Sequence, residues 1–307
     1  MNKKLALFAI ALVVFGFAIS FLLVSRQESW NTDGPKKDRG EKQPLTGQII
    51  KKFLEKSHIA DYEVFALKLG ESHTAKKRLF IEGADKNEKI SISFYFWLLK
   101  KGEKNILIDA GFLDSQKIRG WKIGNYCDPI SALASLSIAP GEITDVIITH
   151  RHWDHIGGVG LFENARIWVR EEEWRSAEKH YKKSDPQISA ALEKTGNEGR
   201  VRFTKSIEEV SPGIITVAQG AHTTEFQFVV LNLTDGIWVL ASDVIPLYEN
   251  LRAKKISGQS GDKAESRLTL EKILSLAGGV EERIIPGHDL EVYKKFQKIS
   301  PCVVKVR

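Results

Sequence analysis

The chain has almost no cysteine: Cys127 and Cys302 are its two in 307 residues. Two cysteines cannot build the disulfide framework that holds a small secreted domain together, so the fold has to stand on its own core. Seven Trp and fifteen Phe supply that core without help from cross-links or metal. Neither cysteine lies in a spaced framework, which favours two buried thiols, although an exported domain would permit the one pairing available. A basic block is also missing. The net charge is +6, but Lys3, Lys4 and Arg26 flank one apolar run and account for half of it. What remains is too dispersed to recognise a polyanion, so no nucleic acid partner is expected.

The N-terminus lacks several processing signals. Residues 5–24, "LALFAIALVVFGFAISFLLV", carry no charge, and ~20 residues at ~1.5 Å each cross a ~30 Å hydrocarbon layer as a helix. The one small-x-small pattern, Ala18-x-Ser20, falls inside the run, no cysteine sits near its end, and no twin arginine precedes it. These absences favour an uncleaved signal anchor over a cleaved peptide for residues 1–25. Lysines ahead of the run predict a cytoplasmic N-terminus and a membrane-anchored domain outside the cytoplasm, periplasmic or extracellular, or secreted if the segment is cut. Residues 26–47 are polar and turn-rich, with four acids against five bases, and read as a flexible linker.

From residue 48 to 307 no internal repeat and no second linker occurs. "IIKKFLEK" has helical spacing, as do "EEEWRSAEKHY" and "AESRLTLEKILSLAGG". "DPISALASLSI" places Asp128 as N-cap and Pro129 at the first helical position. Strands are expected at "YEVFALKLG", "KISISFYFWLLK", "NILIDAGF", "DVIITH", "ARIWVR", "RVRFT", "GIITVA", "EFQFVVLNLT", "GIWVLAS" and "ERIIPGHD", with "TDG" as a hairpin turn. The phase of "ISISFYFW" puts Ile90, Ile92, Phe94 and Phe96 on one face. The mixture points to a single α/β domain.

Histidine is scarce too, eight in all, and its placement is uneven. His150, His152 and His155 fall with Asp154 inside six residues, directly after an apolar strand. His222 follows the strand "GIITVA", Asp243 ends "WVLASD", and His288 ends "RIIPGH". Strand ends are where an α/β fold places its site residues. Packing three imidazoles and a carboxylate together without a metal leaves their desolvation unpaired, so the cluster reads as a metal site. Imidazole nitrogen and carboxylate oxygen suit zinc, and manganese, iron or cobalt would accept the same set. His58, His73 and His180 sit in polar surroundings with no partner pattern.

"THRHWDH" resembles the T-H-x-H-x-D-H signature of the metallo-β-lactamase-fold hydrolases. "GAHT", "ASD" and "PGHD" resemble that superfamily's remaining metal motifs, in order, and "LIDAGF" resembles the strand and turn that precede the signature. Within the superfamily the chain looks most like the N-acyl homoserine lactonase branch. The resemblance implies an αββα sandwich and two zinc ions per chain. It assigns His150, His152 and His222 to one ion and Asp154, His155 and His288 to the other, with Asp243 bridging. Asp109 becomes a candidate acceptor for a ligand imidazole, with a plain turn residue as the alternative. Departures are "TTEF" after His222, where relatives have Pro-Gly, and the position of Tyr248, five residues after Asp243. A phenol there could donate to an oxyanion, or it could be a surface tyrosine. True β-lactamases place Cys where Asp243 stands.

The expected function is dinuclear, metal-dependent opening of a lactone or ester by metal-bound hydroxide, with Asp154, Asp243 and Tyr248 as catalytic candidates. Phe94, Phe96, Trp121, Tyr126 and Trp153 could line an apolar pocket for the small-molecule substrate. The alternatives are phosphoester or organophosphate hydrolysis on the same metal pair, and an exported metal-binding protein without turnover.

Overall fold

Hydrogen bonding between apolar strands divides the chain into two sheets, in a computed structural model that describes residues 45–113 and 115–307. The apolar run 5–24 and the linker up to residue 44 lie outside the described residues. Among those described, no helix is long and apolar enough to cross a membrane.

The strands are β1 (Glu63–Lys76), β2 (Lys89–Lys101), β3 (Lys104–Ile108), β4 (Asp145–Ile147), β5 (Arg166–Val169), β6 (Val201–Phe203) and β7 (Ile207–Ser211). They continue as β8 (Ile214–Ala218), β9 (Gln227–Leu233), β10 (Gly236–Ser242), β11 (Ile284–Pro286), β12 (Gln297–Ser300) and β13 (Val303–Lys305). The helices are α1 (Gly47–Leu54), α2 (Ser115–Gly120), α3 (Pro129–Ala134), α4 (Trp153–Ile156), α5 (Glu171–Ser184), α6 (Pro186–Asn197), α7 (Tyr248–Arg252), α8 (Lys263–Leu276) and α9 (Leu290–Lys295).

An eight-stranded sheet runs in the order β12-β13-β1-β2-β3-β4-β5-β6, and a five-stranded sheet in the order β11-β10-β9-β8-β7. Tyr95, Trp97, Val64 and Ile108 of the first meet Val217, Phe228, Val230 and Leu240 of the second in one apolar cluster. The opposite face of the first sheet offers Ile92, Phe94, Phe96 and Ile167 to a second cluster, which α3, α5 and α6 cover with Leu133, Trp174 and Leu192. Ile50, Leu54 and Ile273 of α1 and α8 join the cluster of the smaller sheet. The expected single apolar face of β2 therefore has a counterpart: both faces are buried, because the strand lies mid-sheet with a core on each side.

Asp128 caps α3 as expected, accepting from the Ile130 and Ser131 N–H groups. The "TDG" turn joins β9 to β10, with Gly236 opposite Leu233. Strand β4 ends at Ile147, short of the expected His150, because Asp109 Oδ1 takes the Thr149 N–H at 2.7 Å. That capture ends the ladder and releases the chain to turn toward the site.

The thiol expectation is corrected. Cys127 and Cys302 form a disulfide, with Cα atoms 6.3 Å apart across 175 positions. Strand β1 is the reason: the Lys68 N–H donates to Cys302 O, and the Cys127 N–H donates to Leu69 O, so neighbouring residues of one strand dock both cysteines.

Candidate metal centre

Each ligand side chain leaves the end of a strand or the turn after it. β3 runs into Asp109, which sits at φ 64 and is fully buried. From there Oδ2 accepts from the Thr149 hydroxyl at 3.1 Å and lies 2.7 Å from His155 Nδ1. The Thr149 oxygen also lies 3.0 Å from His150 Nδ1, and His288 Nδ1 lies 2.9 Å from the Ser93 carbonyl. All three contacts occupy Nδ1 and leave Nε2 to face the centre. Asp109 is thus an orienting acceptor rather than a plain turn residue. The roles of Thr149 and Ser93 escape sequence reasoning: the first is a bystander letter in the signature, and the second acts through its backbone alone.

Two glycines let the loops come close enough. A Cβ on Gly158 would stand 2.1 Å from Ala110 O, and one on Gly287 would stand 2.8 Å from the Ser242 carbonyl carbon and oxygen. Any side chain at either position would force the signature turn or the His288 turn away from its neighbour.

The seven expected ligand residues gather in two groups: His150, His152, His222 and Asp243, and then Asp154, His155 and His288. His152 Nδ1 lies 2.9 Å from His150 Nε2 and 3.1 Å from His222 Nε2. Asp243 offers one oxygen to each group. Its Oδ2 is 3.4 Å from His222 Nε2, whereas Oδ1 is 3.0 Å from His288 Nε2 and 3.2 Å from His155 Nε2. Asp154 Oδ2 closes the second group, 3.5 Å from His155 Nε2 and 3.7 Å from His288 Nε2.

The donors fit a metal ion. Ligands at ~2.0–2.1 Å in a tetrahedron stand about 3.3 Å apart, close to these separations. The buried His155 Nε2 makes no hydrogen bond, despite the nearby Asp243 oxygen. It is aimed at a common point rather than at a partner, as a ligand nitrogen would be. Nitrogen and oxygen donors without sulfur suit zinc and its first-row neighbours.

Charge is divided between the groups. Burial, reinforced by neighbouring imidazoles, holds His150 and His152 well below the ordinary imidazole range. Burial pulls His222 down to about 4. It acts in the same direction on His155 and His288, but Asp154, Asp109 and Asp243 outweigh it at His155, and Asp243 and Asp154 do so at His288; both pKa values are raised. Burial would lift Asp243 and Asp154, yet the His288 and His155 imidazoles hold both carboxyls below the usual range.

Around His288 stands a wall of rings. Phe94 and Phe80 lie 5.5 and 5.8 Å from its imidazole. Phe94 also meets Trp153 at 5.6 Å and Trp121 at 5.9 Å, and Phe112 meets Trp153 at 4.7 Å and Tyr126 at 5.7 Å. The expected aromatics Phe94, Trp121, Tyr126 and Trp153 therefore converge, together with Phe112, while Phe96 is fully buried in the same cluster.

No side-chain hydrogen bond joins Tyr248 to the seven ligand residues. It is fully buried in the apolar cluster of the smaller sheet, its hydroxyl meets no hydrogen-bond partner, and Arg252 and Lys295 stack on its ring at 5.2 Å. Full burial excludes a surface tyrosine. Of the remaining histidines, His58 lies 3.1 Å from Glu209, His73 lies 2.8 Å from the Ser91 hydroxyl, and His180 stacks on Tyr181 at 4.8 Å.

Known proteins share this fold. The metallo-β-lactamase superfamily model matches residues 95–288. Metallo-beta-lactamase domain-containing protein 1 of Xenopus laevis is 26% identical over 161 residues, which are 52% of this chain and 59% of that protein. The chain thus spans less than two thirds of the length of the first curated relatives it matches. A probable metal-dependent hydrolase from Staphylococcus aureus superposes with a TM-score of 0.63 at 20% identity, covering 75% of this chain and 90% of that one. A quorum-quenching N-acyl homoserine lactone lactonase superposes with a TM-score of 0.61 at 18% identity, covering 78% and 97%. At such identities the likeness is one of fold. With the signature at 149–155 and the later motifs inside the matched span, the chain belongs to the metallo-β-lactamase superfamily.

Proposed function

We propose that the domain is a dinuclear metal-dependent hydrolase that opens lactone or small ester bonds outside the cytoplasm. The observation that carries this reading is the position of Asp243, one oxygen on each ligand group, beside an aromatic wall that reaches His288. Two ions held there would supply Lewis acidity and make water a nucleophile at neutral pH. The chain's own residues do the rest. Asp109, Thr149 and the Ser93 carbonyl fix the imidazoles that face the centre. Asp154 holds the second group through Oδ2 and keeps Oδ1 to carry the proton of the attacking water to the leaving oxygen. Phe94, Trp153 and Trp121 exclude water and favour a substrate with an apolar acyl group.

Export is supported by the Cys127–Cys302 bond, since disulfides persist in oxidising compartments and are rare in reducing ones. The uncharged run at 5–24 then serves as the anchor.

The test is a substrate panel on purified residues 45–307 with zinc. Metal-dependent ring opening of acyl lactones, faster with longer acyl chains, is the expected result. Turnover of phosphotriesters or phosphodiesters without any lactone or ester cleavage would overturn it in favour of phosphoester hydrolysis. Tight metal binding with no turnover at all would leave a binding protein.

A further inference from the structure

Among the described residues, one acid is fully buried and hydrogen-bonds to no ligand side chain: Glu173, the third residue of α5. Its two oxygens serve two different loops. Oε2 accepts from the Arg151 backbone N–H at 3.0 Å, and Oε1 accepts from the Glu225 backbone N–H at 3.0 Å. The Arg151 guanidinium reaches both oxygens at 3.3 Å. Arg151 is the single residue between His150 and His152, and Glu225 lies three residues after His222. The helix grips Arg151 from its other side as well, for the Tyr181 hydroxyl donates to Arg151 O at 2.9 Å. Both backbone polar groups of the residue that separates two ligands are therefore held by α5.

Such a grip has a purpose in geometry. The three imidazoles come from two loops, and their nitrogens must converge to within fractions of an ångström to share one ion. A buried carboxyl with one oxygen on each loop sets the distance between those loops. Burying it is costly unless every lone pair it turns inward is used, and here the backbone donors use them.

We infer that Glu173 is a positioning residue for the ion held by His150, His152 and His222, spacing their two loops by its paired backbone hydrogen bonds. This rests on the reading of the ligand cluster as a metal centre and not on any choice of substrate. The ion held by Asp154, His155 and His288 has other supports, Asp109 and the Ser93 carbonyl, and does not depend on Glu173.

The test is stepwise cobalt(II) titration of the protein without substrate, followed by visible absorption. Glu173→Gln keeps the shape but has one oxygen, and its amide nitrogen must face a backbone N–H, so one loop is released. One binding step is expected to weaken by about 10–100-fold with a changed cobalt spectrum, while the other stays within about twofold. Two steps identical to wild type would overturn the inference. So would equal weakening of both steps alongside a lower melting temperature, which a merely structural glutamate would produce. Tyr181→Phe provides a second arm should the first variant not fold: the same step should weaken by a smaller factor, and an unchanged titration would count against the inference. If the wild type takes up no cobalt, both the metal reading and this inference fall. If it takes up two ions and both variants match it, the inference alone falls.

Discussion

The two halves of the centre are built from the same residue types and carry opposite tendencies. His150, His152 and His222 are pushed toward neutrality by burial, whereas His155 and His288, equally buried, are raised by the carboxyls beside them. Burial alone does not set the state of a histidine; the placement of Asp109, Asp154 and Asp243 does. One half offers three ready nitrogen donors. The other holds its protons more tightly, because carboxyls stand beside its imidazoles.

The largest effect should come from removing what the halves share. Asp243→Ala deprives the buried imidazoles around it of their common partner, at ~3–5 kcal/mol, or roughly 10²- to 10⁴-fold in ion affinity. Competition with a chromophoric chelator should show both ions loosened; one tight ion would mean that the halves are independent. Next in size is the double substitution of Cys127 and Cys302 by Ser, which should lower unfolding free energy by ~2–5 kcal/mol. Denaturant titration measures that loss, and both ion affinities should stay as they were. A shift in only one of them would tie the cross-link to that half.

Asp109→Asn sharpens the contrast. Its orienting bond goes directly to His155 and reaches His150 only through the Thr149 hydroxyl, so the ion of the His155 half should weaken about 10–100-fold and the other by a smaller factor. Equal loss in both, read by the same chelator assay, would break the division drawn between them. Proton release tests the charge difference directly. His155 and His288 hold a proton more readily than His150, His152 and His222, so adding zinc to stripped protein should release more protons from their half than from the other. The release should fade as pH rises through the raised values, and an indicator dye in weak buffer reports it. The smallest effect is expected of Tyr248→Phe. Its hydroxyl is buried without a partner, so stability should hold or rise slightly, and kcat/KM should change by less than about twofold.

The candidate ligands are legible in the sequence because each is a polar residue placed where an apolar strand stops, a position with few alternative explanations. The helix over 186–197 carried a readable signal in Asp185 and Pro186, the same N-cap and first-turn pair that marks the helix at 129–134. Other features have no local signature. The hairpin of β12 and β13 is short, and its outer strand is exposed along most of its length. The disulfide depends on two backbone contacts to Lys68 and Leu69, far from either cysteine in sequence. The burial of Tyr248 depends on how α7 packs, which spacing from Asp243 does not reveal.

The cross-link at Cys127 and Cys302 has a topological reach beyond its stabilising effect. The covalent ring it closes contains every ligand from His150 to His288, together with Glu173 and Tyr181. When the chain unfolds, all seven ligands remain on one tethered circuit and never drift the full length of an open polymer. A single cut by a protease anywhere between residues 128 and 301 opens that circuit without parting its ends. A nicked or melted centre would still find its own ligands within reach.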